Sequence, residues 1–203
     1  MDLLVVAVVV AVLISFRIMV RQAAAGRARA AARRRVAEAL GAEGGRQIRE
    51  RVTALAAGAS TLSALQAEAL VLACRQSGRS EIIPVLVALL GHGGASVVSA
   101  AALALGDLGS PALRAVWQAL AAGGPGATAA RGLLEANGDW LYERLLESFV
   151  AAGPASVERH RDLWALPGVQ RRLELLATAS DSVNRLRAAA IRAALAGDGN
   201  RVA

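Results

Sequence analysis

Val98-Ser99-Ala100-Ala101-Ala102-Leu103-Ala104-Leu105-Gly106-Asp107-Leu108-Gly109-Ser110-Pro111 reads as one helix, a turn and the start of a second helix. Alanine and leucine recur at helical spacing, and Gly109 accepts the left-handed conformation that ends a helix. Ser110 ahead of Pro111 is an N-cap with proline at the first helical position. The punctuation returns along the chain: Ser80 and Ser110 are thirty residues apart, and Gly78, Gly109 and Gly138 are separated by 31 and 29. A helix-turn-helix period near thirty predicts a stacked repeat, because neither helix of a pair buries its apolar stripe without a neighbour.

Working outward, the pattern predicts helices over 46–57, 61–77, 80–91, 95–107, 110–122, 127–137, 139–152, 155–165, 167–178 and 181–196. Asp139 stands where a cap is expected, with Ser80 and Asp181 as weaker versions, and Gly91 and Gly197 stand at helix ends. No segment reads as a strand, since the β-branched residues gather in the first twenty positions.

The stretch from Val98 to Pro111 resembles the second helix and following turn of a HEAT repeat, in the short form called phycobilisome-lyase HEAT-like. Leu186-Arg187-Ala188-Ala189-Ala190-Ile191-Arg192-Ala193-Ala194-Leu195 resembles another such helix, and Gln66 to Gly78 and Thr128 to Gly138 are looser versions. The resemblance covers residues 46 to 196 and is least regular over 139 to 178. It implies an α-solenoid of helix pairs. Ser99 stands where the family usually has arginine and Ala95 where it often has aspartate, which implies an incomplete polar ladder between repeats.

Ahead of the repeats, an uncharged apolar run from Leu3 to Phe16 passes into Arg17, Arg21, Arg27, Arg29, Arg33, Arg34 and Arg35, with Met1 and Asp2 before it. Eighteen residues from Leu3 to Val20 cover about 27 Å against a hydrocarbon core of about 30 Å, with Arg17 snorkelling to the headgroups. A cleaved signal ending near Ala23-Ala24-Ala25 is the competing reading, but its positive charges belong before the apolar core. The expected organisation is therefore all-α: a single transmembrane signal-anchor helix over 1–21, an Arg/Ala-rich juxtamembrane helix and linker over 22–45, and a HEAT-like α-solenoid over 46–203. The flank rule places the N-terminus outside a bacterial inner membrane and the C-terminal domain in the cytoplasm.

The net charge is +7. Residues 1–35 hold seven Arg and one Asp, a balance of +6, while residues 36–203 hold sixteen Arg against fifteen acids, a balance of +1. The basic excess is thus expected at anionic lipids, as a membrane-interface collar formed by the seven N-terminal arginines, rather than along a nucleic acid. A lone cysteine, Cys74, sits in an apolar run and reads as core.

No residues gather into a catalytic, cofactor-binding or metal-binding pattern. His92, in the turn Gly91-His92-Gly93-Gly94, and His160 have no ligand-spaced partner and read as solvated. Glu143 and Glu147, one helical turn apart, read as a solvated face. Gly123-Gly124-Pro125-Gly126 lacks the lysine and preceding strand of a phosphate loop. Trp117 falls on a core stripe with Leu113, Val116 and Leu120. Trp140 and Trp164, at helix ends, and Arg159, Arg161, Arg171 and Arg172, on two successive helices, are the candidate partner-binding residues.

The expected function is a membrane-tethered scaffold or adaptor, not an enzyme, binding a membrane protein or membrane-associated enzyme through the solenoid. Tethering would raise the effective concentration of a weak contact. Binding of a nucleic-acid backbone is the alternative, and no small-molecule substrate is expected.

Overall fold

The computed structural model describes residues 3–42 and 44–197, with side chains from residue 13 onward. Among these residues the chain is helical throughout and contains no strand. Helix α1 spans Leu3–Leu40, and α2 spans Gly45–Ala57. A single 3-10 turn at Ala59–Thr61 leads to α3 (Ala64–Ser77), and another at Ser80–Ile82 leads to α4 (Ile83–Leu89). Then come α5 (Ala95–Asp107), α6 (Ser110–Ala122), α7 (Ala127–Ala136) and α8 (Gly138–Ala152). Two short helices, α9 (Pro154–Arg159) and α10 (Arg161–Trp164), precede α11 (Pro167–Ala177) and α12 (Ser182–Ala196).

The transmembrane anchor is not supported. No helix among the described residues is long and apolar enough to cross a membrane. Within α1 the apolar residues give way to Arg17 and Arg21, and the remainder of the helix is rich in arginine. Met1 and Asp2, and the side chains of Leu3 to Val12, lie outside the described residues. The corrected fold class is all-helical without an established span, and the single-pass inner-membrane placement falls with the span that motivated it.

The helices form two compact units, one ending at Ala130 and the other beginning at Arg131. In the first unit, α1, α3 and α5 pack side by side in succession, and α2, α4 and α6 do the same. Contacts of α1 with α2, α3 with α4, α4 with α5 and α5 with α6 join the two rows. The inward positions explain how the rows close. Ala67, Ala73, Ala101 and Ala104 are buried and small enough for helices to approach, while Leu70, Ile82, Val85, Leu86, Leu89, Val97 and Leu105 fill the space between. Helix α1 contributes Ala32, Val36 and Ala39 to this core, so its last turns pack into the first row.

The second unit repeats the scheme on a smaller scale. Helix α8 packs on α11 and α9 on α12, with α8 to α9 and α11 to α12 as the further pairs. Leu141, Leu145, Val157, Trp164, Val169, Leu173 and Ile191 are its buried core.

Long-range polar contacts carry the same period. Ser96 donates to Glu68 at 2.7 Å, His92 Nε2 lies 2.9 Å from the Leu62 carbonyl, Arg131 pairs with Asp162 at 2.8 Å, and Arg172 pairs with Asp139 at 2.6 Å. Their sequence separations are 28, 30, 31 and 33 residues. Arg75 to Asp107, at 2.8 Å, is another of this kind. Polar bridges between neighbours therefore exist, made by Glu68, Arg75, Ser96 and Asp107 rather than by Ala95 and Ser99, which are exposed.

Helix ends follow local chemistry, but the span expected over 61–77 becomes α-helical only at Ala64, the one over 80–91 is a 3-10 turn followed by the shorter α4, and the one over 155–165 is broken into α9 and α10. Asp181 caps α12 by accepting from Val183 N at 3.0 Å, and Ser63 with Gln66 forms a reciprocal capping box on α3. Gly109, at φ +67°, occupies the cap position of α6, so Ser110 is already helical and makes no capping bond. Asp139 lies inside the first turn of α8, and its carboxylate goes to Arg172 instead of a backbone amide. The loop at Gly123–Gly126 has a packing role: a Cβ on Gly126 would sit 3.2 Å from Gly91 N, so a side chain there would push the two loops apart by a few tenths of an ångström.

Candidate partner-binding groove

Three of the six residues expected to meet a partner converge on one groove in the second unit. Trp140 on α8, with Arg171 and Arg172 on α11, lines a cleft of about 720 Å³ together with Glu135, Asn137, Asp139 and Leu175. The helical repeat of α11 places Arg171 and Leu175 on one face, one turn apart. Leu175 is 58% exposed, unusual for a leucine on a packed helix. Helices α8 and α11 approach closely at the floor, where a Cβ on Gly138 would lie 3.9 Å from Gly168 Cα.

The charges of the groove are partly engaged. Arg172 Nε donates to Asp139 Oδ1 at 2.6 Å, which holds the Asp139 carboxyl below the usual carboxylate range and raises the Arg172 guanidinium. Arg144 stacks over the Trp140 ring with 5.6 Å from guanidinium carbon to centroid and pairs with Glu147. Arg171 is exposed and makes no ion pair or hydrogen bond among the described residues.

The other expected contact residues are placed elsewhere. Trp164 is fully buried and packs edge-on against Tyr142, ring centroids 6.3 Å apart, so it presents nothing to a partner. Its Nε1 and the Tyr142 hydroxyl are buried with no hydrogen-bond partner among the described residues. Burial pushes the Tyr142 phenol above its ordinary value, with Arg172 opposing. Arg161 is a structural cation: its guanidinium donates to the carbonyls of Leu195 at 3.1 Å and Ala194 at 3.3 Å, satisfying the end of α12. Arg159 is exposed at the end of α9.

Arg17, Arg21, Arg27, Arg29, Arg33, Arg34 and Arg35 are all exposed along α1 and have no ion-pair partner among the described residues. Arg27 and Arg35 edge a second cleft, of about 410 Å³, floored by Ala24, Ala28, Ala31 and Ala32 and flanked by Leu65. Without a span among the described residues, the reason for placing these arginines in a headgroup layer is removed.

Neither histidine is simply solvated. His92 Nδ1 accepts from Gly94 N–H at 3.0 Å, so the neutral ring carries its proton on Nε2 and donates it to the Leu62 carbonyl. This ties the loop before α5 to the loop before α3. His160 is half-buried, and burial followed by Arg159 lowers its pKa, with Asp162 acting the other way. Among the described residues no three His, Cys, Asp or Glu side chains group to hold a metal ion. Burial pushes the Cys74 thiol up to about 12, so it is a protonated core group.

The capping box Ser63-Ala64-Leu65-Gln66 is a local motif that the expected caps did not include. The bond from His92 to Leu62 has no local signal, since its partner is a backbone carbonyl thirty residues away. No family model matches the chain, and no curated protein or solved structure matches it.

Proposed function

We propose that this chain is a helical-repeat adaptor, a HEAT-like array that binds another protein through the groove between α8 and α11. The observation that carries the reading is the convergence of Trp140, Arg171 and Leu175 on one open cleft, an aromatic, a cation and an exposed aliphatic on rigid helices. The contacts recurring every thirty residues or so support the repeat reading, because solenoid repeats contact their neighbours in this way. No catalytic role is assigned to any residue.

The test is retention of a partner from cell extract by the full-length chain, by a Leu175→Asp variant and by a control variant, Ser99→Asp, on an exposed site of the other unit. A protein held by the wild type and the control but lost from Leu175→Asp is the expected result. Retention indifferent to all variants, or no retained protein, overturns the reading.

The seven exposed arginines of α1 favour a second reading, attachment to a nucleic-acid backbone. Duplex DNA binding by the full-length chain that falls steeply with salt and is lost when Arg27, Arg29, Arg33, Arg34 and Arg35 become glutamine would replace the first reading with this one.

A further inference from the structure

We propose that the groove takes an extended segment of the partner in which a carboxylate lies beside a large apolar side chain, an inference that rests on the adaptor reading above. Arg172 is held by Asp139 and Arg144 by Glu147, whereas Arg171 has no partner among the described residues. A guanidinium offers a fork of donors that matches a carboxylate in two parallel bonds, so an acidic side chain or a chain-terminal carboxylate is the complement of Arg171. One helical turn on, Leu175 exposes 58% of its surface, and Trp140 lines the same cleft. Covering these two with an aliphatic or aromatic side chain removes apolar surface from water, which the carboxylate alone would not do.

The sign balance decides among anionic ligands. The lining holds two cations, Arg171 and Arg172, and two acids, Glu135 and Asp139. A polyphosphate backbone laid along this cleft would meet the acids as often as the arginines, so a nucleic acid is disfavoured here. A single carboxylate needs only Arg171 and leaves the Asp139 to Arg172 pair intact. A doubly charged phosphate would call for a further free cation, which the lining does not supply. The volume, about 720 Å³, lies within the range of ligand-sized clefts and accommodates a short extended segment.

The test is selection of a phage-displayed library of random linear dodecapeptides against the full-length chain, followed by anisotropy titration of the enriched peptides. The expected result is a consensus in which Asp, Glu or the free C-terminus adjoins Leu, Ile, Phe or Trp. Arg171→Gln should weaken those peptides roughly tenfold, the loss of one charge-assisted contact. Arg171→Lys should recover part of the affinity, and Leu175→Asp should abolish it, each variant keeping the wild-type helical circular dichroism and melting temperature. Because both side chains are exposed, loss of folding does not confuse the result. Peptides that depend on Leu175 but show no acidic preference, or whose affinity ignores Arg171→Gln, overturn the carboxylate inference while the adaptor reading stands. Peptides indifferent to both substitutions, or no enrichment at all, overturn the groove as a binding site and the adaptor reading with it.

Discussion

Replacing Tyr142 by phenylalanine should stabilise the second unit, although most core substitutions do the reverse. The tyrosine is 9% exposed, its hydroxyl is buried, and among the described residues no acceptor or donor reaches that oxygen. A buried hydroxyl without a partner carries a desolvation cost of about 1–3 kcal/mol. Phenylalanine keeps the ring and its edge-on contact with Trp164 at 6.3 Å, and it leaves a void of a single oxygen. Lost dispersion takes back part of the gain, so the net expectation is about 1 kcal/mol of added stability. For a unit of well under a hundred residues this corresponds to a rise in melting temperature of roughly 4–8 °C. Tryptophan fluorescence is the assay, because Trp164 lies against the substituted ring, and urea unfolding should move its midpoint without a change in slope. Trp164→Phe is the comparator: it also removes an unpaired donor, but the deleted volume leaves a cavity, and it should destabilise. A Tyr142→Phe variant less stable than wild type by about 1 kcal/mol or more would refute the reasoning and mean that the hydroxyl has a hydrogen-bond partner in solution.

Three further outcomes are expected. Cys74 should resist thiol reagents in the folded chain and react at the unfolding rate; because its folded pKa is raised from 9.0 to about 12, stability should be full below pH 9 and fall as pH rises toward 12, seen as a declining urea midpoint. His160 is shifted the other way, so its contribution is present above its ordinary value of 6.5 and lost as pH falls through and below it; a His160→Gln variant should flatten that acid limb of the stability curve. Arg161→Ala should cost about 2 kcal/mol through the freed carbonyls of Ala194 and Leu195, whereas Arg75→Ala, which removes an exposed pair with Asp107, should cost less than about 1 kcal/mol in the same denaturation series.

Helix positions were legible because they depend on neighbours in sequence. The expected spans 95–107 and 110–122 coincide with α5 and α6, and Gly78 ends α3 in the left-handed conformation at φ +62°. The thirty-residue spacing was legible as punctuation, and the same interval separates the residues that bond across neighbours. What failed was any property that depends on a distant surface. The inward face of α1, ending in Ala32, Val36 and Ala39, is hidden among arginines because its small side chains give almost no amphipathic signal. Trp164 and Trp140 look alike at helix ends, yet one is sealed beneath Tyr142 and the other lines a cleft. Arg161 and Arg171 are similarly indistinguishable in sequence; the C-terminus of α12 claims the first, and nothing among the described residues claims the second. The expected membrane span rested on a run of apolar residues and a flanking charge rule, and no described helix meets the length and apolarity that a span requires.

The interval of about thirty residues at which side chains bond across the chain has a consequence for how such a molecule changes over generations. A contact that reaches only to the adjacent module closes a short loop, so the entropic penalty of forming it stays nearly constant however many modules are present. In an array of like repeats, duplicating or deleting one whole module would leave each surviving module with a neighbour of the same kind. Growth by tandem copying is then thermodynamically smooth, and drift in the copied surface residues is free to alter what a groove recognises while the alanine-lined seams keep the modules in register.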